Sequence, residues 1–310
     1  MKKIKMSWLV AIMVAMSMMA TGCGESSVSS NAGNQSEGTE NVASETSAAS
    51  SESTSEVKDE TTSVEVTVEE KVLVDQDDVK ITATSLEDGL FGTELKLLVE
   101  NNSDKGLTFQ ARNASVNGYM VDTMMSEDVA AGKKANTSLT FSTSGLKDCG
   151  IDVIADMQFY FHIFTSDSWD DYLDSDMINI ETSAAGSYSQ VYDDSGEVFY
   201  DQDGIKIVGK GLSAKDSFFG PGLIVYIENN SSKDFTVQVR DTSVNGFMVD
   251  TSMSQDVVVG KKAITAVTFF SSSLEENGIT DITSVETSFH IFDMQNWDTI
   301  ADTEAITVEF

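Results

Sequence analysis

The block Ser115-Val-Asn-Gly-Tyr-Met-Val-Asp122 returns as Ser243-Val-Asn-Gly-Phe-Met-Val-Asp250, and the match runs on through Gly132-Lys-Lys134 and Gly260-Lys-Lys262. From Ser115 to Ala135 against Ser243 to Ala263, sixteen of twenty-one positions are identical at an offset of 128 residues. Duplication at this period implies two copies of one folding unit. Each candidate residue can then be weighed against its twin.

Both copies read as β. Leu95, Leu97 and Val99 alternate with Lys96, Leu98 and Glu100, and Leu223, Val225 and Ile227 alternate with Ile224, Tyr226 and Glu228. Period two of this kind marks strands with one buried face. Asn117-Gly118 and Asn245-Gly246 supply the positive φ angles of tight hairpins. Further strands are predicted over 138–142 and 266–271, 157–164 and 287–292, and 177–181 and 305–310. With no long amphipathic helix and seven or eight strands per copy, the expected fold is all-β, a two-sheet sandwich in each repeat. The boundaries are 71–183 for repeat one, 184–196 for a linker and 197–310 for repeat two.

What precedes the repeats reads as address and tether. Lys2, Lys3 and Lys5 lead into an apolar run from Trp8 to Ala20, too short to span a bilayer comfortably, as in a secretory signal covering 1–22. Ala20-Thr21-Gly22-Cys23 resembles the lipobox of bacterial lipoproteins, although that family usually has Leu where this chain has Ala20. The resemblance implies a diacylglycerol on the sulfur of Cys23, hence a lipid-anchored protein at the cell membrane facing the extracellular side. Residues 23–70, rich in Ser, Thr and Glu, cannot bury enough apolar area to offset ordering entropy and read as a disordered acidic tether. About 45 such residues reach roughly 35–40 Å.

The net charge is −32, which disfavours nucleic acid and bare anionic membrane as partners. With Cys23 assigned to lipid, Cys149 stands alone and faces Asn277 in the other copy. No disulfide braces either repeat, so each is expected to be stable from its own core and to fold separately.

The Asn-Asn-Ser turns at 101 and 229, the Ser-Val-Asn-Gly hairpins, the Gly-Lys-Lys pairs and the Phe-His-Ile-Phe strands at 161 and 289 give a resemblance. Across 71–183 and 197–310 they make each copy similar to the immunoglobulin-like tandem-domain lipoproteins of unknown function from Gram-positive bacteria. The resemblance implies fold and location and brings no shared activity or catalytic residue. The disulfide pair flanking a Trp that marks antibody domains is absent.

The side chains that could carry chemistry come in twins. His162 and His290 are the only histidines, and one per repeat makes no zinc site alone. A serine-histidine triad lacks a nucleophile motif such as Gly-x-Ser-x-Gly, and a strand histidine also serves as a cross-strand hydrogen bonder. Arg112 and Arg240 are the only arginines, beside Gln110 and Gln238 on the outward phase of a strand. A planar fork at these places serves either a clamp onto Asp122 and Asp250, or Asp128 and Asp256, or the docking of an acidic ligand group. The clamp is the expectation. Trp169 and Trp297 could stack on a sugar ring or plug the end of the sandwich, and the plug is the expectation. Asp167, Asp170, Asp171, Asp174 and Asp176 form an acidic loop that the second copy reproduces only in part and without EF-hand spacing, so no metal is assigned.

The reading is a non-enzymatic surface protein without cofactor, whose tandem modules bind or space something at the cell envelope: a surface polymer or a protein partner, with the membrane engaged through lipid on Cys23. Arg112, Arg240, Gln110, Gln238, His162, His290, Trp169 and Trp297 are its candidate binding residues. One alternative is a small-molecule or ion-binding lipoprotein serving a sensor or transporter, favoured by a pocket between the repeats. Another is a hydrolase using paired carboxylates, for which abundant acids discriminate nothing. Cys23→Ser is expected to move the protein into the soluble exported fraction, and unchanged membrane association in fractionated cells would count against the anchor.

Overall fold

The computed structural model describes residues 66–213 and 219–310. The signal segment, Cys23 and the tether as far as residue 65 lie outside the described residues. Thr67 and Val68, expected in the tether, belong to the fold: Thr67 donates its backbone N–H to Ser183 Oγ at 3.0 Å, and Val68 packs on the first core.

The fold is all-β. The first half runs β1 (Lys71–Gln76), β2 (Val79–Asp88), β3 (Gly92–Asn101), β4 (Leu107–Val116), β5 (Tyr119–Met120), β6 (Thr123–Met124), β7 (Glu127–Val129), β8 (Lys133–Ser142), α1 (Thr143–Asp148), β9 (Asp156–Thr165), β10 (Asp171–Asp174) and β11 (Ile178–Glu181). The second half repeats the series: β12 (Glu197–Gln202), β13 (Ile205–Leu212), β14 (Gly222–Asn229), β15 (Phe235–Val244), β16 (Phe247–Met248), β17 (Thr251–Ser252), β18 (Ser254–Val257), β19 (Lys262–Phe269), α2 (Ser271–Glu276), β20 (Ser284–Asp293), β21 (Thr299–Asp302) and β22 (Ile306–Glu309). The alternating positions form the cores, with Leu95, Leu97, Val99, Phe109 and Phe161 buried in one and Leu223, Val225, Ile227, Phe235 and Phe289 in the other. Ser271, read as the end of a strand, opens α2 instead, and neither six-residue helix is amphipathic over enough turns to leave a pattern in the sequence.

The sheets are not divided two per half. One, of five strands, ordered β1-β2-β3-β8-β6, is confined to the first half, and one, of six, built on β16-β15-β20-β21, to the second. Between them runs a single 11-stranded sheet, β10-β9-β4-β5-β19-β14-β13-β12, to which both halves contribute. The join is the hairpin tip β5, which lies parallel to β19 with Tyr119 opposite Lys262, and Lys262 N–H donates to the Gly118 carbonyl at 3.0 Å.

Side chains close the join. Val208 and Tyr226, from the second half, are 0% and 1% exposed and sit in the first half's core cluster, while Met120 packs against the second core. Fully burying a side chain of this size contributes about 1.5–3 kcal/mol. From the connecting segment, the Tyr192 hydroxyl donates to the Asn117 carbonyl at 2.9 Å, and its ring meets Tyr119 edge-on at 5.3 Å. Lys262 Nζ stands 4.3 Å from the centre of the Tyr192 ring. Burial at this junction pulls the Lys261 amine below the usual lysine range against an opposing pull from Asp156 of the first half. It also pushes the thiol of Cys149 up to about 12, so that free cysteine is inert at neutral pH. Two separate cores were expected from the repeat; a shared sheet and an interleaved core are found.

Both hairpins have positive φ at each central residue, 48° and 83° at Asn117 and Gly118 and 52° and 82° at Asn245 and Gly246. Gly246→Val should therefore cost about 1–2 kcal/mol from backbone strain alone, since an added Cβ meets nothing there. Gly118→Val should cost more, because its Cβ would lie 2.6 Å from the Tyr192 hydroxyl and displace the ring that clasps the join. Urea midpoints of the two variants check this; equal losses would mean that Tyr192 holds nothing.

Candidate functional site

β4, β9 and β10 of the first half turn one face outward, and the candidate residues gather on it. Register puts Gln110 beside His162 and Arg112 beside Tyr160, with Asp174 on the other side of His162. β15, β20 and β21 repeat the arrangement with Gln238 beside His290 and Asp302 beyond it. A bulge follows each arginine: Asn113 and Asp241 take φ of 50° and 44°, and the register shifts between Arg112 and Ser115 and between Arg240 and Ser243. A bulge re-aims the side chains beside it.

Neither arginine is a clamp. Asp128 accepts from Thr108 and Asp256 from Thr236, while Arg112 Nη2 donates to Gln110 Oε1 at 2.6 Å and Arg240 Nη2 to Gln238 Oε1 at 2.9 Å. Each glutamine in turn donates to a serine hydroxyl, Ser126 or Ser254, at 3.3 Å. Both arginines are exposed, and among the described residues neither has a carboxylate partner. Most of each guanidinium fork thus faces solvent, held in place by a neutral neighbour.

The histidines make the cross-strand bond expected of them. His162 Nδ1 lies 2.7 Å from Asp174 Oδ1, and His290 Nδ1 lies 2.6 Å from Asp302 Oδ1. On the other side of the His162 ring, Nε2 lies 3.9 Å from Asp171 Oδ1. No serine hydroxyl is bonded to either ring among the described residues, so no nucleophile-base pair is assembled.

The tryptophans lie on this same face and plug nothing. Both are 74% exposed. Trp169 stacks on Phe164 with centroids 5.3 Å apart and planes at 17°, and Phe164 meets His162 at 5.4 Å. Trp297, Phe292 and His290 repeat the row at 5.4 and 5.3 Å. Both indoles sit on residues with left-handed backbone, φ 61° at Trp169 and 64° at Trp297. A bulky side chain there costs about 1–2 kcal/mol, which so exposed a ring recovers only in part. The local frame differs, Thr165 and Ser168 bracing one loop and Asp293 and Asn296 the other, yet the strained geometry is the same.

The two faces differ in surroundings. A cleft of about 1000 Å³ between the halves is lined by Arg112, Tyr160, His162 and Asp174 from one side and Ser254 and Gln255 from the other. The second half has Ser288 where the first has Tyr160. Of the acids in the loop around Trp169, Asp170 accepts from Ser168 and Asp174 holds His162, and among the described residues no cluster of three metal-ligating side chains occurs. Nor, among those residues, is any helix long and apolar enough to cross a membrane.

The chain matches no protein-family model and no curated protein. Among solved structures, the crystal structure of YadV chaperone aligns with 75% of this chain and 100% of its own, at 9% identity and a TM-score of 0.23, too distant to carry any inference.

Sequence reasoning found the members of the face. Phe164 and Phe292 read only as strand residues there and Asp174 only as part of an acidic loop; the stacking of the first two and the pairing of Asp174 and Asp302 with the histidines depend on strand register. Trp169→Gly should leave stability within about 1 kcal/mol of the parent, the relief of left-handed strain offsetting the lost stacking on Phe164. Thermal unfolding reads this, and a loss of several kcal/mol would restore the tryptophan to a structural plug.

Proposed function

We propose that this protein is a non-catalytic binding protein with two equivalent docking faces, carried outside the cell on a lipid anchor at Cys23, and that its modules are tandem immunoglobulin-like sandwiches. The reading rests on one observation: Trp, Phe, His, Gln and Arg recur in the same row on both halves, with an exposed indole held in a strained backbone each time. Strain retained twice at an exposed position is the mark of a site and not of a core. Exposed Trp and Arg are also the residue types that dominate binding energies.

The chemistry fits an envelope or surface polymer with sugar rings and acidic substituents. An indole face takes the apolar side of a ring, a guanidinium takes a carboxylate or phosphate in a bidentate fork, and Gln and the His-Asp pair serve hydroxyls. Two such faces on one body bind a repeating ligand with avidity.

A second reading, a small ligand held in the cleft, is favoured by the placement of Arg112 and His162 in its wall. Retention on purified Gram-positive wall polysaccharide separates the two. If the ligand is a polymer engaged at both faces, Trp169→Ala and Trp297→Ala should each weaken retention by about 10²-fold or more and the pair should abolish it. Retention lost on Arg112→Ala but kept by the double tryptophan variant would favour the cleft, in whose wall Arg112 stands, and retention unchanged in all of these variants would refute both.

A further inference from the structure

The hairpin that joins the halves is also duplicated, and its second copy is uncovered. Tyr119 is 2% exposed on its seat at β19, whereas its twin Phe247 is 51% exposed and Met248 is 65% exposed. The free hairpin is as firmly built as the seated one. The Asn117 side-chain Oδ1 accepts from Ala155 and Asp156 N–H at 2.8 and 3.1 Å, and Asn245 Oδ1 accepts from Thr283 and Ser284 N–H at 2.9 and 3.1 Å. The Asn117 amide donates to Val153 O at 2.7 Å and the Asn245 amide to Asp281 O at 2.8 Å. Little ordering would be needed on docking.

The seat is specific. Tyr119 shares one buried cluster with Val208 and Tyr226, against which Ile264 packs, on β13, β14 and β19, and Met120 beside it packs against the second core. The first half keeps the backbone of such a seat and the bordering ion pair, Lys134 with Glu100 in place of Lys262 with Glu228. Its face, however, carries Thr82, Leu98 and Asn136 at the three matching positions. A second copy of this chain therefore offers only Leu98 as an apolar side chain at the first-half seat, and the seat on its second half is already covered.

We propose that the Phe247–Met248 hairpin is a docking knob for a different chain, whose β-sandwich presents apolar side chains where this protein has Val208, Tyr226 and Ile264. The contact would extend the join already built inside the molecule: a parallel bridge from the Gly246 carbonyl, with Phe247 pressed onto the partner's sheet. Thr82 and Asn136 on the first-half seat keep that knob from chaining copies of the protein head to tail, which a fully apolar seat would do because such a contact does not close on itself.

The protein itself can serve as the probe. In the soluble Cys23→Ser chain, Thr82→Val, Leu98→Tyr and Asn136→Ile rebuild the seat on the first half. By sedimentation the weight-average mass of this variant should climb past that of a dimer with concentration, the parent should stay monomeric, and Phe247→Ser with Met248→Ser should return the variant to monomer. A folded variant that remains monomeric overturns the knob. Self-association of the parent that is lost on Phe247→Ser overturns the assignment to a different chain and makes a second copy the occupant. Should the triple variant not fold, Asn136→Ile alone, at an exposed position, carries the same test with weaker association expected.

Discussion

One hydrogen bond, from Lys262 N–H to the Gly118 carbonyl, marks where two repeats become one body. By itself such a bond contributes about 1 kcal/mol, but it sets the register that carries Tyr119 onto β19 and lets Val208 and Tyr226 complete the first core. The hairpin can do this because Asn117 and Gly118 hold positive φ and the Asn117 side chain ties the turn to the backbone at Val153, Ala155 and Asp156. Tyr192 then closes over the junction from the connecting segment. The relative placement of the two outward faces depends on this seam, and so does the cleft beside Arg112.

Duplication with divergence explains how the parts are used. The outward faces kept their Trp, Phe, His, Gln and Arg and kept the strained tryptophan backbone in both halves, although the residues bracing the two loops changed. The sheet faces at the junction diverged instead: Thr82, Leu98 and Asn136 on one side of the duplication, Val208, Tyr226 and Ile264 on the other. The outward row stayed alike, whereas at the junction the covered face carries Val208, Tyr226 and Ile264 and its uncovered twin replaces two of the three with Thr82 and Asn136.

Much of this was legible in the sequence, for physical reasons that stop at identifiable points. Alternation marked β3 and β15 because each turns one face to a core, and Asn-Gly marked both hairpins because few other pairs tolerate two left-handed residues. The shared sheet was signalled and not recognised. Ile224 and Tyr226 interrupt the alternation of β14, and a strand that is apolar on both faces is covered on both. The arginine clamp failed because Gln110 and Gln238, two residues away on the same strand face, are nearer partners than any acid, a matter of side-chain reach. The tryptophan plug failed because the composition of a loop does not reveal the sign of φ at Trp169 or Trp297.

Unfolding watched separately from each half tests the seam most directly. In residues 23–310, Trp297→Phe leaves Trp169 as the sole indole in the first half, and Trp169→Phe leaves Trp297 as the sole indole in the second. If the halves share a sheet and an interleaved core, urea denaturation followed by fluorescence should give coincident midpoints in the two proteins, and Tyr226→Ser should pull them apart. Well-separated midpoints in the otherwise unaltered chain, unmoved by Tyr226→Ser, would contradict the account and return the molecule to two independent domains on a string.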